Sequence, residues 1–242
     1  MALAGDHVAV LVDGYELTGD HNSISIDDSR KALCQTTFGD AVKNCIPGQR
    51  QMKLQHGGFM NADSARSHPA LKGATVEGIV AVLLGQNADP VVGDPVYCLK
   101  TLQSYYQVAP QFGEVIPFKA TFANKGELGG WGVALAVPVE FTNSSNGSSV
   151  DNGAASSNGG SAYLNLLTAA ASDTYTIVVE GSATGSFSGE ESTLATFDLD
   201  ASAIGSERAA IAGSIPQYTR WKATRSGSAG DTVKIAVALI RG

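Results

Sequence analysis

Short runs in which every second residue is apolar constrain this fold more than any other feature of the sequence. In the last run, residues 233–240, the largest apolar side chains occupy alternate positions. A period of two is that of a β-strand with one buried face. Similar runs recur at roughly ten- to eighteen-residue spacing with Gly and Ser between them, which is typical of an antiparallel sandwich or jelly roll. The runs are residues 162–168, 175–180, 194–199, 207–212, 218–224 and 233–240.

The first half of the chain carries further strand-like runs. Residues 7–13 end at the dipeptide Asp13-Gly14, which favours a tight turn. Residues 64–72 favour one or two helical turns, limited by Pro69. Residues 30–50 are long and polar and contain Gly39 and Pro47-Gly48, so we expect an extended loop there. The other predicted strands are residues 24–26, 52–56, 76–84, 96–108, 114–122 and 131–141.

Composition agrees with a β-rich chain. Only 16% of the 242 residues are charged and 28 are Gly, whereas about a quarter of a typical soluble domain is charged. Coiled coils, long-helix bundles and highly charged disordered chains are therefore excluded. The predicted fold class is all-β with minor α: an N-terminal β-sandwich or half-barrel followed by a C-terminal antiparallel β-sandwich.

A stretch of small polar residues divides the chain. Residues 142–160 contain six Ser, four Asn and four Gly, with one Val as the only large apolar side chain. Such a segment buries too little surface to offset its ordering entropy, which predicts a flexible linker or exposed loop. We therefore expect a β domain at residues 1–141, a linker at 142–160 and a β-sandwich domain at 161–242.

The charge and cysteine content limit the partners and the compartment. The net charge is −7, so the chain lacks the basic excess needed to grip nucleic acid. No apolar stretch approaches the roughly 20 residues of a membrane helix, and no secretory signal is visible. We expect a soluble protein made in a cytoplasm, with no membrane partner. Three cysteines, Cys34, Cys45 and Cys98, form no CxxC pair and no even framework, which predicts free thiols.

The residues that usually carry catalysis form no recognisable constellation. The four histidines show no metal-ligand spacing, and His56, beside Gly57-Gly58, is best interpreted as a solvent-facing or hydrogen-bonded strand residue. The sequence around Ser186 and Ser188 fails the nucleophile-elbow register because Phe187 sits at its centre. We expect no enzyme, no cofactor and no metal.

One ordered series of motifs resembles a known family. It begins with residues 12–19, VDGYELTG, and continues with TTFGDAVK at 36–43, IPG at 46–48, KL at 53–54 and GGF at 57–59. This series is similar to the pattern of tail tube proteins from tailed bacteriophages, in which NGxDLSG precedes TTTFG, PGL and SLSG elements. Here Gln49-Arg50 and Met60-Asn61 depart from that pattern. The resemblance covers roughly residues 8–140.

The resemblance implies a structural role in the virion tail. Tail tube proteins form stacked hexameric rings around a lumen through which genomic DNA passes, and an acidic subunit would let DNA slide without specific binding. The implied partners are further copies of the chain and other tail proteins, with residues 161–242 decorating the exterior. The long loop would reach the next ring, and its expected inter-ring or inter-subunit residues are Thr36, Thr37, Phe38, Gly39, Asp40, Lys43, Pro47 and Gly48.

Two alternatives stay open from the sequence. A capsid decoration or cement protein, or a minor tail protein, would have the same β-rich and acidic composition. A carbohydrate-binding or carbohydrate-hydrolysing module in residues 161–242 would need exposed aromatic rings. The rings available for it are Tyr163, Tyr175, Phe187, Tyr218 and Trp221.

Overall fold

The computed structural model describes residues 7–39, 41–73, 77–86, 88–127 and 129–242. Strands make up 57% of the chain and helix 3%, which confirms the predicted all-β class. The strands are β1 Val8–Val12, β2 Tyr15–Glu16, β3 His21–Cys34, β4 Cys45–Phe59, β5 Glu77–Leu84, β6 Pro95–Val108, β7 Pro117–Asn124, β8 Gly130–Phe141, β9 Ser145–Asn146, β10 Val150–Asp151, β11 Gly160–Thr168, β12 Thr174–Ser182, β13 Ser192–Thr196, β14 Gly205–Ile211, β15 Tyr218–Ser226 and β16 Val233–Arg241. A short helix, α1 Ser67–Leu71, and a 3₁₀ turn, Thr18–Asp20, complete these elements.

All the strand pairs are antiparallel and form two sheets. The larger sheet has eleven strands, and its main path runs β14-β11-β16-β8-β6-β5-β1-β2. It branches at β6, whose first residues pair with β8 and whose last residues pair with β7, and β7 continues to β4 and β3. The smaller sheet runs β10-β15-β12-β13, with β9 also paired to β15.

The alternating pattern predicts which faces are buried. On β16, Val233, Ile235, Val237 and Leu239 all lie in a core between the two sheets. A second core fills the curve formed by β1, β5, β6, β7 and β4 and includes Tyr97. A third core lies on the opposite face of β1 and β5 from the second core. There these two strands pack against β11 and β16. Apolar burial on both faces of β5 explains its continuous hydrophobic run, because neither face meets water.

Strands from the two predicted domains belong to one sheet. β8 pairs with β16 along Val233–Leu239. Polar contacts reinforce this junction: Ser206 Oγ donates to Asp13 Oδ1 at 2.7 Å, and Lys234 Nζ donates to Glu16 Oε2 at 2.7 Å. The division into two domains stays a prediction. Where residues 1–141 meet residues 161–242, the sheet is continuous and the core is shared.

The segment expected to be a flexible linker instead follows the smaller sheet. β9 and β10, both within residues 142–160, pair with β15, and Ser156 forms a bridge with Ile215. Arg241 fixes the segment from β16, since its guanidinium donates to the backbone carbonyl of Asn152 at 2.8 Å and also to that of Ala154. The backbone of this segment supplies the contacts that its small side chains cannot.

Several local predictions agree with the structure. Asp13 and Gly14 have φ values of 48° and 80° and join β1 to β2, as the turn dipeptide predicts. The strand predicted at residues 76–84 is β5 over its described residues 77–84. The predicted helical turns at residues 64–72 are α1. No helix among the described residues is long and apolar enough to cross a membrane.

The extended loop predicted at residues 30–50 is wrong. β3 runs to Cys34 and β4 starts at Cys45, so only residues 35–44 connect them. The ladder continues through Pro47-Gly48 because β4 bulges there: Arg30 pairs with Arg50 and Ala32 with Pro47, which leaves an extra β4 residue between the pairs. A polar sequence exposed on both faces carries no alternation, so the strands were not visible as such.

Candidate functional site

The outer part of the β3–β4 hairpin projects from the body of the molecule. β4 pairs with β7 only from Lys53, opposite Ala123, to Phe59, opposite Pro117. Nearer the hairpin tip, β4 has β3 as its only neighbour among the described strands. We call residues 28–51 the arm. At about 3.3 Å per residue, its ladder extends roughly 20–25 Å beyond β7.

A disulfide closes the arm, which corrects the expectation of free thiols at these positions. Cys34 and Cys45 are directly opposite in the ladder, with their Cα atoms 3.9 Å apart, and their sulfurs are bonded. Their separation of 11 in sequence suggested no pairing, because the sequence did not reveal the strands that bring them together. Cys98 is free and buried.

One ion pair holds the two strands of the arm together. Arg50 Nε donates to Asp28 Oδ1 at 2.6 Å, and an Nη of Arg50 donates to the other carboxylate oxygen. This hydrogen bond holds the pKa of the Asp28 carboxyl below its ordinary value. The bidentate geometry gives the inner end of the arm a fixed cross-strand link.

The tip of the arm is ordered by short-range hydrogen bonds and exposes apolar side chains. Gln35 N donates to Asn44 O at 2.8 Å, and Asn44 N donates to Thr36 Oγ1 at 3.3 Å. Phe38 is fully exposed, at 115% of its reference surface. Four exposed apolar side chains form what we call the arm tip patch: Leu33, Phe38, Val42 and Ile46.

The structure brings most of the predicted inter-subunit residues together on the arm. The exposed residues of the tip loop include Thr36, Thr37, Phe38, Gly39 and Lys43. Asp40 lies outside the described residues.

Pro47 and Gly48 lie in β4, away from the tip loop. Gly48 is required at the bulge, since a Cβ there would lie 2.7 Å from the Lys31 carbonyl oxygen. Gly48 therefore shapes the arm, and the inter-subunit role of Pro47 and Gly48 stays a prediction.

A histidine pair lies where the hairpin joins the body, with His56 buried and His21 half-buried. His56 Nδ1 and His21 Nε2 are 2.8 Å apart, so one of these nitrogens donates to the other. Burial lowers the pKa of His21 to about 4, an effect that the nearby Asp20 opposes. Burial, together with His21, lowers the pKa of His56 to about 3. His56 is thus a buried, hydrogen-bonded strand residue, and both rings are neutral at pH 7.

The aromatic rings expected to serve a carbohydrate site in residues 161–242 are mostly buried. The rings packed in the interior are Tyr163, Tyr175, Phe187 and Trp221. Trp131 behaves differently, because 51% of it is exposed although its ring meets that of Tyr97 at 5.1 Å. It lines an open cleft of about 740 Å³ whose other walls include Asp151 and Arg241.

A second exposed apolar group, which the sequence pattern does not predict, lies in the turn between β6 and β7. Phe112 is fully exposed, at 108%, and Val115 and Ile116 follow it in the same turn. Phe59 at the end of β4 is exposed beside them, because it pairs with Pro117. We call these four residues the base patch. Three of its members, Phe112, Val115 and Ile116, are large apolar residues in a turn, where polar residues are usual.

The described residues contain no group of three or more His, Cys, Asp or Glu side chains that could hold a metal ion. In the His21–His56 pair, His56 is buried and His21 half-buried, and the two ring nitrogens in contact face each other. Ionic clusters elsewhere join strands: Glu180 accepts from Arg220 at 2.9 Å and from Lys222 at 2.9 Å. These arrangements suit structural roles. The arm differs from them because its tip exposes apolar side chains to solvent.

Comparisons with known proteins give remote structural likenesses only. No protein-family model matches the sequence, and no curated protein matches it significantly. A chain from the virion of a native gene transfer agent particle is 12% identical with a TM-score of 0.42, over 54% of this chain and 98% of that chain. A chain of the anti-feeding prophage cap, which terminates that tube, is 11% identical with a TM-score of 0.42, over 52% and 88%. The Dit protein of phage SPP1, described as a hub adsorption apparatus protein, is 10% identical with a TM-score of 0.34, over 96% and 99%. All three TM-scores are below 0.5, so the roles of these proteins are not carried over to this chain.

Proposed function

We propose that this chain is a structural protein of a phage virion that self-assembles into stacked hexameric rings, which form the tail tube around the passing DNA. The motif series at residues 12–59 supports the family, and one structural observation carries the assembly: the projecting arm. A two-stranded ribbon alone in water is marginally stable. An arm with an exposed apolar tip therefore fits a segment that is covered by a neighbouring copy.

The position of the motif residues supports an inter-subunit role for the arm. Phe38, Gly39 and Lys43 lie in the tip loop, at the greatest distance along the hairpin from the body. The disulfide between Cys34 and Cys45 and the Asp28–Arg50 pair keep the ribbon extended. In the proposed tube, each arm reaches from one ring to the next.

The charge of the chain supports a lumen that does not bind DNA. The formal net charge is −7. A polyanion passing a ring of such subunits would be repelled from the wall and would not adhere to it. In this proposal, residues 161–242 face outward as an exterior decoration, and the protein is located in the virion tail with other tail proteins as partners.

Removing the arm tip tests the proposal. In the test variant, an Asn-Gly turn replaces residues 34–45 and joins the paired residues Leu33 and Ile46. We expect a folded protein with the circular dichroism of the wild type that no longer stacks into tubes. The matched control is Ile204→Asp, a charge placed on an exposed apolar residue away from the arm.

Electron microscopy of the purified protein and of intact particles gives the result. Tubes of stacked sixfold rings for the wild type and the control, with none for the shortened arm, would support the proposal. A wild-type protein that stays monomeric and is missing from the tail shaft would overturn it. Tubes formed by the shortened variant would show that the arm is not the contact between rings.

One observation favours a second candidate function, the binding of a glycan. Trp131 presents an exposed indole ring in an open cleft beside Asp151 and Arg241. Sugars stack their apolar face on such rings while polar side chains meet their hydroxyl groups. Titration of the protein with soluble cell-wall oligosaccharides, followed by tryptophan fluorescence, tests this function, with Trp131→Ala as the variant that should lose the signal.

A further inference from the structure

The arm tip patch and the base patch lie at opposite ends of the same strand. β4 runs from Cys45 at the tip of the arm to Phe59 at the base. The β6–β7 turn lies at the Phe59 end, since Val108 pairs with Phe118 and Met60 N donates to Ile116 O at 2.8 Å. The molecule therefore presents one exposed apolar group at each end of its longest strand.

Each patch contains a phenylalanine with no covering contact in the single chain. Phe38 and Phe112 have exposed fractions of 115% and 108%. Isolated exposed apolar residues are normal on a protein surface, but fully exposed aromatic rings grouped with other large apolar residues mark an interaction site. Both groups are covered if the arm tip patch of one copy contacts the base patch of the next copy.

The outer arm carries an excess of cations, whereas the charges near the base patch balance. The arm has the exposed cations Arg30, Lys31 and Lys43, with Asp40 as the opposing charge in its tip sequence, and Arg50 is already paired with Asp28. Near the base patch, the anions Asp63 and Glu114 are balanced by the cations Arg66 and Lys119. Two arm tips therefore repel each other, whereas an arm tip and a base patch do not, which favours the association of unlike ends.

We propose that the base patch, Phe59, Phe112, Val115 and Ile116, is the docking surface for the arm tip patch of a second copy of this chain. The contact joins two different surfaces, so a stack of rings keeps uncovered arm tips at one end and uncovered base patches at the other, where further rings add. It gives the assembly a direction, with all arms pointing the same way. This inference rests on the proposed self-assembly and identifies the surface that receives the arm.

Two single substitutions test it. Phe38→Asp removes the arm tip contact and Phe112→Asp removes the base contact, and both side chains are fully exposed, so each variant should fold as the wild type does. Alone, each variant should form no tubes. An equimolar mixture of the two contains intact arms on Phe112→Asp copies and intact base patches on Phe38→Asp copies. We expect this mixture to form one layer of contacts and then stop.

Sedimentation velocity and electron microscopy distinguish the outcomes. Two-layer assemblies in the mixture, with tubes from the wild type and from Ile204→Asp, would support the inference. Tubes from Phe112→Asp alone would overturn it and leave the arm's role intact. Blocked single variants that fail to associate when mixed would also overturn it. A wild type that never polymerises would instead overturn the proposed function, and this is seen before any variant is mixed.

Discussion

At the scale of single residues, the His21–His56 pair is the group most sensitive to solution conditions. The two rings share one hydrogen bond and pack against Phe118, with the centroid of His56 at 5.9 Å and that of His21 at 5.6 Å. His21 Nδ1 and His56 Nε2 are buried without a hydrogen-bond partner. A proton added to either ring would place a charge where neither water nor a counter-charge compensates it fully.

The pair predicts that the folded state loses stability as the pH falls below neutrality. The pKa values of His21 and His56 are lowered to about 4 and about 3 from the ordinary 6.5, so between those values the unfolded chain binds more protons than the folded one. The stabilising effect is complete above pH 6.5 and decreases as the pH falls toward the folded values. The loss amounts to roughly 3 kcal/mol between pH 7 and pH 5. Urea unfolding midpoints measured at both pH values check it.

A double variant supplies the control for this pH dependence. His21→Asn with His56→Phe removes both titrating rings, and we expect its unfolding free energy to change much less between pH 7 and pH 5. His68→Gln alters a half-buried histidine outside the pair and should keep the wild-type dependence. An equal slope for the double variant and the wild type would contradict the assignment to this pair.

The pair itself could not have been predicted from the sequence. His21 and His56 are 35 residues apart and meet because the β3–β4 register places Ile24 opposite His56 and His21 opposite Gly58. The sequence predicts a solvent-facing or hydrogen-bonded strand residue at His56, and the second alternative is the one observed. Its partner depends on the ladder register, which alternation alone does not determine.

At the scale of elements, the arm is a β-ribbon supported by local links. The disulfide closes the tip loop, and the Asp28–Arg50 pair lies further down the ladder. Because a short ribbon has little core of its own, these links set how often the tip opens. The body of the molecule, with three buried apolar clusters, does not depend on them.

We predict that reducing the disulfide loosens the arm while the body stays folded. Closing a loop of about this length raises the free energy of the unfolded ribbon by about 2–3 kcal/mol. Without the disulfide the ribbon opens more often, so trypsin should cut after the exposed Lys43 at least about tenfold faster in the reduced protein. The thermal unfolding midpoint of the body should stay unchanged. Mass spectrometry of timed digests measures the cleavage.

The double variant Cys34→Ser with Cys45→Ser separates this effect from other actions of the reductant. It should be cut as fast as the reduced wild type, and reductant should not accelerate its cleavage further, since Cys98 is buried. Equal cleavage rates for the oxidised and reduced wild type would show that the disulfide does not restrain the tip.

Elements with one buried face were predictable and elements without one were not. β16 and β12 were found from alternation because each has an apolar face in the core. The arm was interpreted as a loop because both of its faces are exposed, and Pro47-Gly48 suggested a break where the strand only bulges. The base patch does not follow from the sequence for a different reason: Val115 and Ile116 fall in the strand expected at residues 114–122, whereas β7 begins only at Pro117.

At the scale of the whole molecule, long-range pairing joins what composition separates. The polar stretch 142–160 predicted a flexible connection, yet β10 pairs with β15 and Arg241 donates to its backbone carbonyls. β11, β14 and β16 extend the sheet that contains β8. Composition reports what a segment can bury by its own side chains, whereas backbone hydrogen bonds to distant strands leave no local signal in the sequence.

This continuity predicts that residues 7–242 unfold as one cooperative unit. Ala238 on β16 lies in the same buried cluster as Leu11 on β1, so separating the two halves would expose that cluster and the edge of β8. We expect a single calorimetric transition whose van't Hoff and calorimetric enthalpies agree. A fragment of residues 1–141 should fail to fold as a soluble monomer, because the exposed strand edge and apolar surface favour aggregation.

A substitution at the junction distinguishes one unit from two. Ala81→Asp places a charge in the shared cluster from the first half of the chain and should lower the stability of the whole chain in a single step, by about 3 kcal/mol or more. Circular dichroism follows the sheets as a whole, and the fluorescence of Trp221, which is buried in the core between the sheets, follows the second half. Trp131, on β8, contributes to the same fluorescence, so the Trp131→Ala background isolates Trp221. Coincident transitions from the two probes would show one unit; a Trp221 transition that keeps its wild-type midpoint would instead support two independently stable domains.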